Sequence, residues 1–155
     1  MQIYQLLSKN YRDTLSYQRK DQLFPLEKVK SMVDLGVRFD SKLTFRDHIS
    51  EKINKAYSVL RIIKQNFIYM DEHTFILLYK SMVCPHVEFG NSVWCPFKVG
   101  DIKEIEKIQK RATQLIISLK SKPYEERLMH LKLPTLKFRC IRGDMIEVFK
   151  LTHNI

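Results

Sequence analysis

Four glycines are too few, and too scattered, for a phosphate-cradling loop or a glycine-rich oxyanion loop. No two aspartates are adjacent anywhere in the chain. Enzymes that join nucleotides clamp two metal ions with carboxylates, and the aspartate pair such a site is built on is missing. No apolar run approaches the roughly 18 residues that a membrane span needs. The opening stretch, Met1-Gln2-Ile3-Tyr4-Gln5-Leu6-Leu7, has neither a basic lead nor a long apolar core, so a secretory signal is not expected. Three cysteines, Cys84, Cys95 and Cys140, are odd in number and widely spaced. They read as reduced thiols of an intracellular protein, nuclear or cytoplasmic. A structural zinc site wants four ligands in tight pairs. Here only Cys84-Pro85-His86 is tight, and Cys95 and His130 are remote, so no metal is expected.

What is present is a chain of 155 residues, 45% hydrophobic and 28% charged, with a net charge of +10. That is enough chain to bury a core without staples. A strongly basic balance suits a polyanionic partner, most often nucleic acid. The charge is uneven: residues 44–70 carry 5 basic and 2 acidic side chains, and residues 101–122 carry 6 and 3. Residues 71–100 carry only 2 basic against 3 acidic and hold the single Trp. The middle therefore reads as core and its flanks as a charged exterior.

Val33, Leu35, Val37 and Phe39 alternate with Asp34, Gly36, Arg38 and Asp40, which predicts a half-buried strand with an exposed edge. Thr44 fits an N-cap with Asp47 behind it, opening a helix of about 20 residues. The stripe of that helix is Phe45, Ile49, Ile53, Ala56, Leu60 and Ile63. Asp71 starts a second helix that Pro85 interrupts. Gly100-Asp101 opens a third, running to about Lys120 on Ile102, Ile105, Ile108, Ala112, Leu115, Ile116 and Leu119. Pro123 suits the first turn of a short helix over Tyr124–Leu131. Pro134 starts a last one reaching Leu151, with Leu136, Cys140, Met145, Ile146 and Phe149 among its apolar positions. The fold class is mainly α, with a short N-terminal β element.

Lys103, Lys107, Lys110 and Gln114 recur at helical spacing, with Arg111 on their flank, opposite the isoleucine stripe. A row of cations on a rigid rod can track a phosphate backbone. A plain solvated face, with Glu104 and Glu106 mixed in, explains the same pattern. His48, Lys52 and Lys55 form a second row on the first helix, with Arg46, Arg61 and Lys64 on the other flank. Tyr79, Phe89, Trp94 and Phe97 are candidates for base stacking. Their place in the least charged third reads rather as core. Ser81, His86 and Glu88 lack the surroundings of a triad. Acidic pairs such as Asp71-Glu72 and Glu125-Glu126 sit where helix N-termini favour negative charge.

The order of these segments carries a resemblance. It runs from Asp34-Leu35-Gly36-Val37 through Leu78-Tyr79-Lys80-Ser81 with Pro85 and Val93-Trp94 with Pro96. It continues through Glu106-Lys107-Ile108-Gln109-Lys110-Arg111-Ala112, Tyr124-Glu125-Glu126-Arg127-Leu128 and Leu133-Pro134-Thr135-Leu136 to Arg142-Gly143-Asp144. This series resembles the part after the catalytic palm in reverse transcriptases of non-LTR retrotransposons, the LINE elements of jockey and chicken-repeat type. The resemblance covers about residues 26–151. It implies that residues 1–43 are the end of a palm carrying a primer-grip-like strand at Leu35, Gly36 and Val37. It implies that residues 44–155 are a helical thumb and connection, a multi-helix bundle. The implied partners are an RNA–DNA hybrid or other duplex nucleic acid, held by its backbone, and the missing palm. The parent enzyme would use Mg; this chain alone needs no cofactor. The candidate nucleic-acid contacts are Lys52, Lys55, Lys103, Lys107, Lys110 and Arg111. Cys84 stands where relatives of this type usually carry arginine, and Cys140 where they often carry a second arginine after Arg139. Two other readings stay open: a remnant of a transposable element with no selected activity, and a helical protein-interaction module.

The isolated chain is expected to extend no primer. Incubation with a primer–template, Mg²⁺ and deoxynucleotides checks this, and extension above a heat-inactivated control would refute it.

Overall fold

A computed structural model describes residues 29–153 in full, together with the backbone of strands at 16–19 and 22–25. The chain divides into two compact units, Met1–Leu43 and Thr44–Ile155. The weakly patterned opening residues of the sequence lie largely outside the described part.

The first unit contains two antiparallel hairpins. Strand β1 (Ser16–Arg19) pairs with β2 (Gln22–Pro25), and β3 (Ser31–Asp34) pairs with β4 (Val37–Asp40). The second hairpin corrects the expectation of one continuous strand. Leu35 and Gly36 both take positive φ, 45° and 78°, so the chain reverses through a two-residue turn of the primed kind. Such a turn needs φ > 0 at both central positions. Gly36 meets that freely, while Leu35 does so against its Cβ at a cost of about 1 kcal/mol. The register pairs Asp34 with Val37 and Val33 with Arg38. Val33 and Val37 therefore face opposite sides, although a continuous strand would put them together. Burial agrees with the register: Val37 is 5% exposed, whereas Val33 and Leu35 are 57% and 87% exposed. The backbone N–H of Lys42 donates to Asp40 Oδ1 at 2.9 Å, and the N–H of Leu43 donates to the Asp40 carbonyl.

The second unit is helical: α1 (Arg46–Asn66), α2 (Glu72–Leu78), α3 (Cys84–Glu88), α4 (Asn91–Trp94), α5 (Val99–Thr113), α6 (Tyr124–Leu131) and α7 (Leu136–His153). The fold is mainly α with a short N-terminal β element. Helix α1 starts after Phe45, not Thr44. Phe45 is the N-cap with left-handed backbone and no side-chain cap, and the N–H of Ile49 closes the first turn onto its carbonyl. The buried stripe is Ile49, Ala56, Leu60 and Ile63, as the spacing predicts, with Ile53 half-buried. Asp71 caps α2 by accepting from the Thr74 N–H at 3.1 Å. Hydrogen bonds from Thr74 hold this exposed carboxyl below the usual carboxylate range.

Pro85 does not interrupt its helix. The chain widens into a π-helical turn over Tyr79–Val83, in which the N–H of Cys84 reaches back to the Tyr79 carbonyl, and then continues as α3. Proline lacks an N–H and its ring collides with the carbonyl four residues back. One extra residue in the turn lets the helix pass that obstacle. Helix α5 ends at Thr113, earlier than the sequence predicts. The N–H groups of Gln114 and Leu115 bond only three residues back, to Arg111 and Ala112, and Ile116 is extended. A 3₁₀ turn at Ile117–Leu119 comes next, and Ile116 and Leu119 point into the core.

Helix α1 packs on α3 and α5, and α5 packs on α6 and α7. Ala56 and Ala112 are both fully buried, one on each side of the α1–α5 packing. Phe75 stacks on Tyr79, and Trp94 is buried with its Nε1–H donated to the Phe89 carbonyl at 2.8 Å. Glu106 of α5 positions both α6 and α7. Its Oε1 accepts from the Tyr124 hydroxyl at the start of α6, and its Oε2 accepts from the N–H of Leu136, at 3.0 Å, and of Lys137 at the start of α7. Gln109, one turn on, donates to the Pro134 carbonyl at 3.0 Å. Thr135 Oγ1 accepts from the N–H of Phe138 at 3.2 Å, so the first turn of α7 is capped twice.

Glu106→Ala removes the acceptor for a phenol and two helix-terminal N–H groups. It is expected to lower unfolding free energy by about 2–3 kcal/mol. Glu106→Gln should recover part of that loss, because its carbonyl still accepts. Urea unfolding monitored by far-UV circular dichroism checks both.

Candidate nucleic-acid interface

Lys103, Lys107, Lys110 and Arg111 are all exposed on α5, opposite buried Ile105, Ile108 and Ala112. Gln114 falls at the helix C-cap and leaves the row. By helix geometry Lys103 and Lys107 lie about 6 Å apart along the axis, and Lys103 and Lys110 about 10 Å apart. The long stems extend that reach over successive phosphates. Lys107 pairs with Glu104 one turn back. Lys103 and Lys110 make no ion pair among the described residues. Arg111 is set differently: its guanidinium lies over the Tyr57 ring of α1, 4.9 Å from the centroid. That contact orients the guanidinium plane and leaves the side chain on the surface.

The same contact decides which face of α1 adjoins the row. Counting round the helix from Tyr57, Arg61 and Lys64 fall within roughly 40° of it, whereas Lys52 and Lys55 fall roughly 140–160° away. Arg61 and Lys64 are exposed. The structure thus sets Arg61 and Lys64 on the Tyr57 side, beside Arg111. Lys52 and Lys55 lie on another side of α1, Lys52 over the Phe89 ring at 5.5 Å and Lys55 paired with Glu51 at 2.9 Å. His48 is no surface cation: it is buried, edge-on to Trp94 with centroids 5.1 Å apart. Leu35 and Gly36 form the turn of the second hairpin and Val37 is the first residue of β4, all in the other unit.

Two arginines also turn inward. Arg127 is buried beside Tyr124, its guanidinium 5.7 Å from the ring centroid. Arg139 donates to Glu88 Oε2 at 2.8 Å and to Cys84 Sγ at 3.2 Å. Sequence reasoning missed this cluster, and the only signal was an acidic residue in a cation-poor segment. It also disposes of a triad: Glu88 faces Arg139, and Ser81 Oγ donates to the Leu77 carbonyl at 2.7 Å. Among the aromatics expected as core, Tyr79 and Trp94 are buried, but Phe89 and Phe97 are exposed. No group of three or more metal-ligating side chains occurs among the described residues.

Burial pushes the Tyr79 hydroxyl well up and raises the Cys84 thiol, with the Glu88 carboxylate adding to the shift at Cys84. Burial also raises Tyr124, and its hydrogen bond to Glu106 raises it further. Burial raises Glu88, against the pull of Arg139.

Comparison with protein-family models, with curated proteins and with solved structures gives no match.

The raised groups fix an alkaline limit. Cys84, Tyr79 and Tyr124 are neutral when protonated, and folding favours that form. Above about pH 8.5 for a thiol and about pH 10 for a phenol, the unfolded chain releases protons that the folded chain keeps. Stability is therefore complete below those values and falls as pH rises through them. The expected slope is at most about 1.4 kcal/mol per pH unit for each group. Tyr124→Phe should start less stable at neutral pH and lose less per unit above pH 10. Urea midpoints measured across that range check the sign.

Proposed function

We propose that this chain is the primer-grip, thumb and connection part of a LINE-type reverse transcriptase, a clamp for an RNA–DNA hybrid or other duplex with no polymerase chemistry of its own. The observation that carries the reading is the α5 row, Lys103, Lys107 and Lys110. It is bordered by Arg111 on Tyr57 and by Arg61 and Lys64 of α1. These cations sit on rigid helices at a spacing suited to consecutive phosphates. The contact is electrostatic and to the backbone, so it is indifferent to base sequence. The Lys107–Glu104 pair does not oppose this, because an exposed pair within one helix is worth only about 0.3–0.5 kcal/mol. Lys107 can exchange its carboxylate for a phosphate at little cost. The 155 residues carry no adjacent aspartates, so this reading assigns them the holding function alone.

One observation favours a second element in the reading. Helix α7 exposes Phe138, Ile141, Met145 and Val148 at spacings of three and four. An exposed apolar stripe of this kind marks a docking surface. It suits either a palm of the kind the resemblance implies or the role of a helical interaction module.

Duplex binding measured against salt tests the proposal. With about four phosphates neutralised, log K is expected to fall against log salt with a slope of roughly −3 to −4. Lys103→Gln with Lys110→Gln should reduce the magnitude of that slope by about 2 and weaken all sequences alike. Helicity should be unchanged, since Gln is nearly as good a helix former as Lys. A double variant that keeps the parent's affinity and slope would show the row to be a solvated face.

A further inference from the structure

Between α3, α4, α5 and α7 lies a cavity of about 450 Å³, walled by apolar side chains that include Trp94, Ile105 and Leu136. Cys95 and Cys140 both line it. Helices α4 and α7 pack directly on one another, and a Cβ on Gly143 would stand 3.1 Å from Asn91 Nδ2. Cys95 lies four residues after Asn91, and Cys140 three before Gly143. Each is thus one helical turn from that crossing, and both face the same hollow. Their sulfurs adjoin one another. No bond joins them, and all three cysteines are free thiols.

We propose that Cys95 and Cys140 are a redox-active dithiol that closes into an intramolecular disulfide, pinning α7 to α4 across the lip of the cavity. The oxidant is a peroxide. One thiolate attacks a peroxide oxygen and becomes a sulfenic acid, and the second oxygen leaves as water after taking up a proton. The other thiol then attacks the sulfenic sulfur and releases a second water. Two thiols and one hydrogen peroxide give one disulfide and two waters. The two protons and two electrons of the thiols pass to the peroxide oxygens. Cys84 takes no part, because it is buried and its sulfur accepts from Arg139.

The bond would close a loop between distant points of the chain, and such a cross-link restricts the unfolded ensemble. The oxidised protein should therefore melt at a higher temperature than the reduced one. The cavity and its cysteines lie apart from the lysine row, so this proposal and the nucleic-acid reading stand or fall separately.

The test treats the full chain with stoichiometric hydrogen peroxide and digests it after alkylation of the remaining thiols. The expected product is a linked peptide pair containing Cys95 and Cys140, from a protein that stays monomeric on a non-reducing gel, with Cys84 alkylated once denatured. Tm should rise on oxidation of the parent and not of Cys95→Ser or Cys140→Ser. If either variant fails to fold, peptide mapping of the parent still decides. Linkage through Cys84, disulfides only between chains, or both thiols alkylated after peroxide would overturn the proposal.

Discussion

The carboxylate of Glu106 is the interaction on which the arrangement of the C-terminal helices depends. It sits half-buried on α5 and accepts from three donors: a phenol at the start of α6 and two backbone N–H groups at the start of α7. A helix N-terminus leaves its first N–H groups without intrahelical partners, and a carboxylate there satisfies them with the help of the macrodipole. One side chain thus fixes where two helices begin. Gln109, on the next turn, holds the carbonyl of Pro134 just before α7. With these two positions facing α6 and α7, and Ile105, Ile108 and Ala112 in the core, little more than the lysine-bearing face of α5 is left to solvent. The exposure of Lys103, Lys107 and Lys110 is a consequence of where α6 and α7 must dock.

The inward-facing cations sharpen the same point. A net charge of +10 invites the assumption that every basic residue faces a polyanion. Arg139 instead answers Glu88 and Cys84, and Arg127 is buried beside Tyr124. Lys55, Lys107 and Lys150 pair within their own helices. Breaking a buried pair leaves an uncompensated charge and is costly, whereas an exposed intrahelical pair exchanges freely. Only the second kind remains available to a phosphate. Burial and not composition therefore decides which positive charges a partner can reach.

What could be read from the sequence divides along physical lines. The stripe of α1 was legible because Ile49, Ala56, Leu60 and Ile63 keep helical spacing over several turns. Helix α6 was legible from Pro123 and its acidic first turn. The second hairpin was not. Val33, Leu35, Val37 and Phe39 alternate without a break, and a two-residue turn placed within that run leaves the alternation intact while reversing the chain. Gly36 was the only local signal, and Leu35 is a residue that sterics would keep out of the left-handed region. The π turn before Pro85 was hidden for a similar reason: proline announces a fault in the ladder, but neighbouring helices decide whether the chain breaks or widens. Phe89 and Phe97 show the limit of segment composition, for they share an uncharged stretch with Trp94 and yet face outward. For the candidate interface, the α5 row was visible as a period. Its continuation onto Arg61 and Lys64 depended on which side of α1 carries Tyr57 towards Arg111, and only packing settles that.

The clamp around Glu106 also changes what the resemblance can be asked to support. Three of the segments that carry it, Glu106 to Ala112, Tyr124 to Leu128 and Leu133 to Leu136, are distant in sequence. The structure joins them through Glu106 to Tyr124, Glu106 to Leu136, and Gln109 to Pro134. Residues that bond to one another across a fold must keep their spacing and order together, so their joint occurrence is accounted for by the architecture. They argue for a shared scaffold and not, by themselves, for contact with nucleic acid. The case for the clamp rests on Lys103, just before these segments, and on Lys107 and Lys110 within the first, none of which takes part in those bonds. Those lysines can change without loosening the fold, whereas Glu106 and Tyr124 cannot. On the proposed reading, the scaffold residues would carry the resemblance and the surface row the contact.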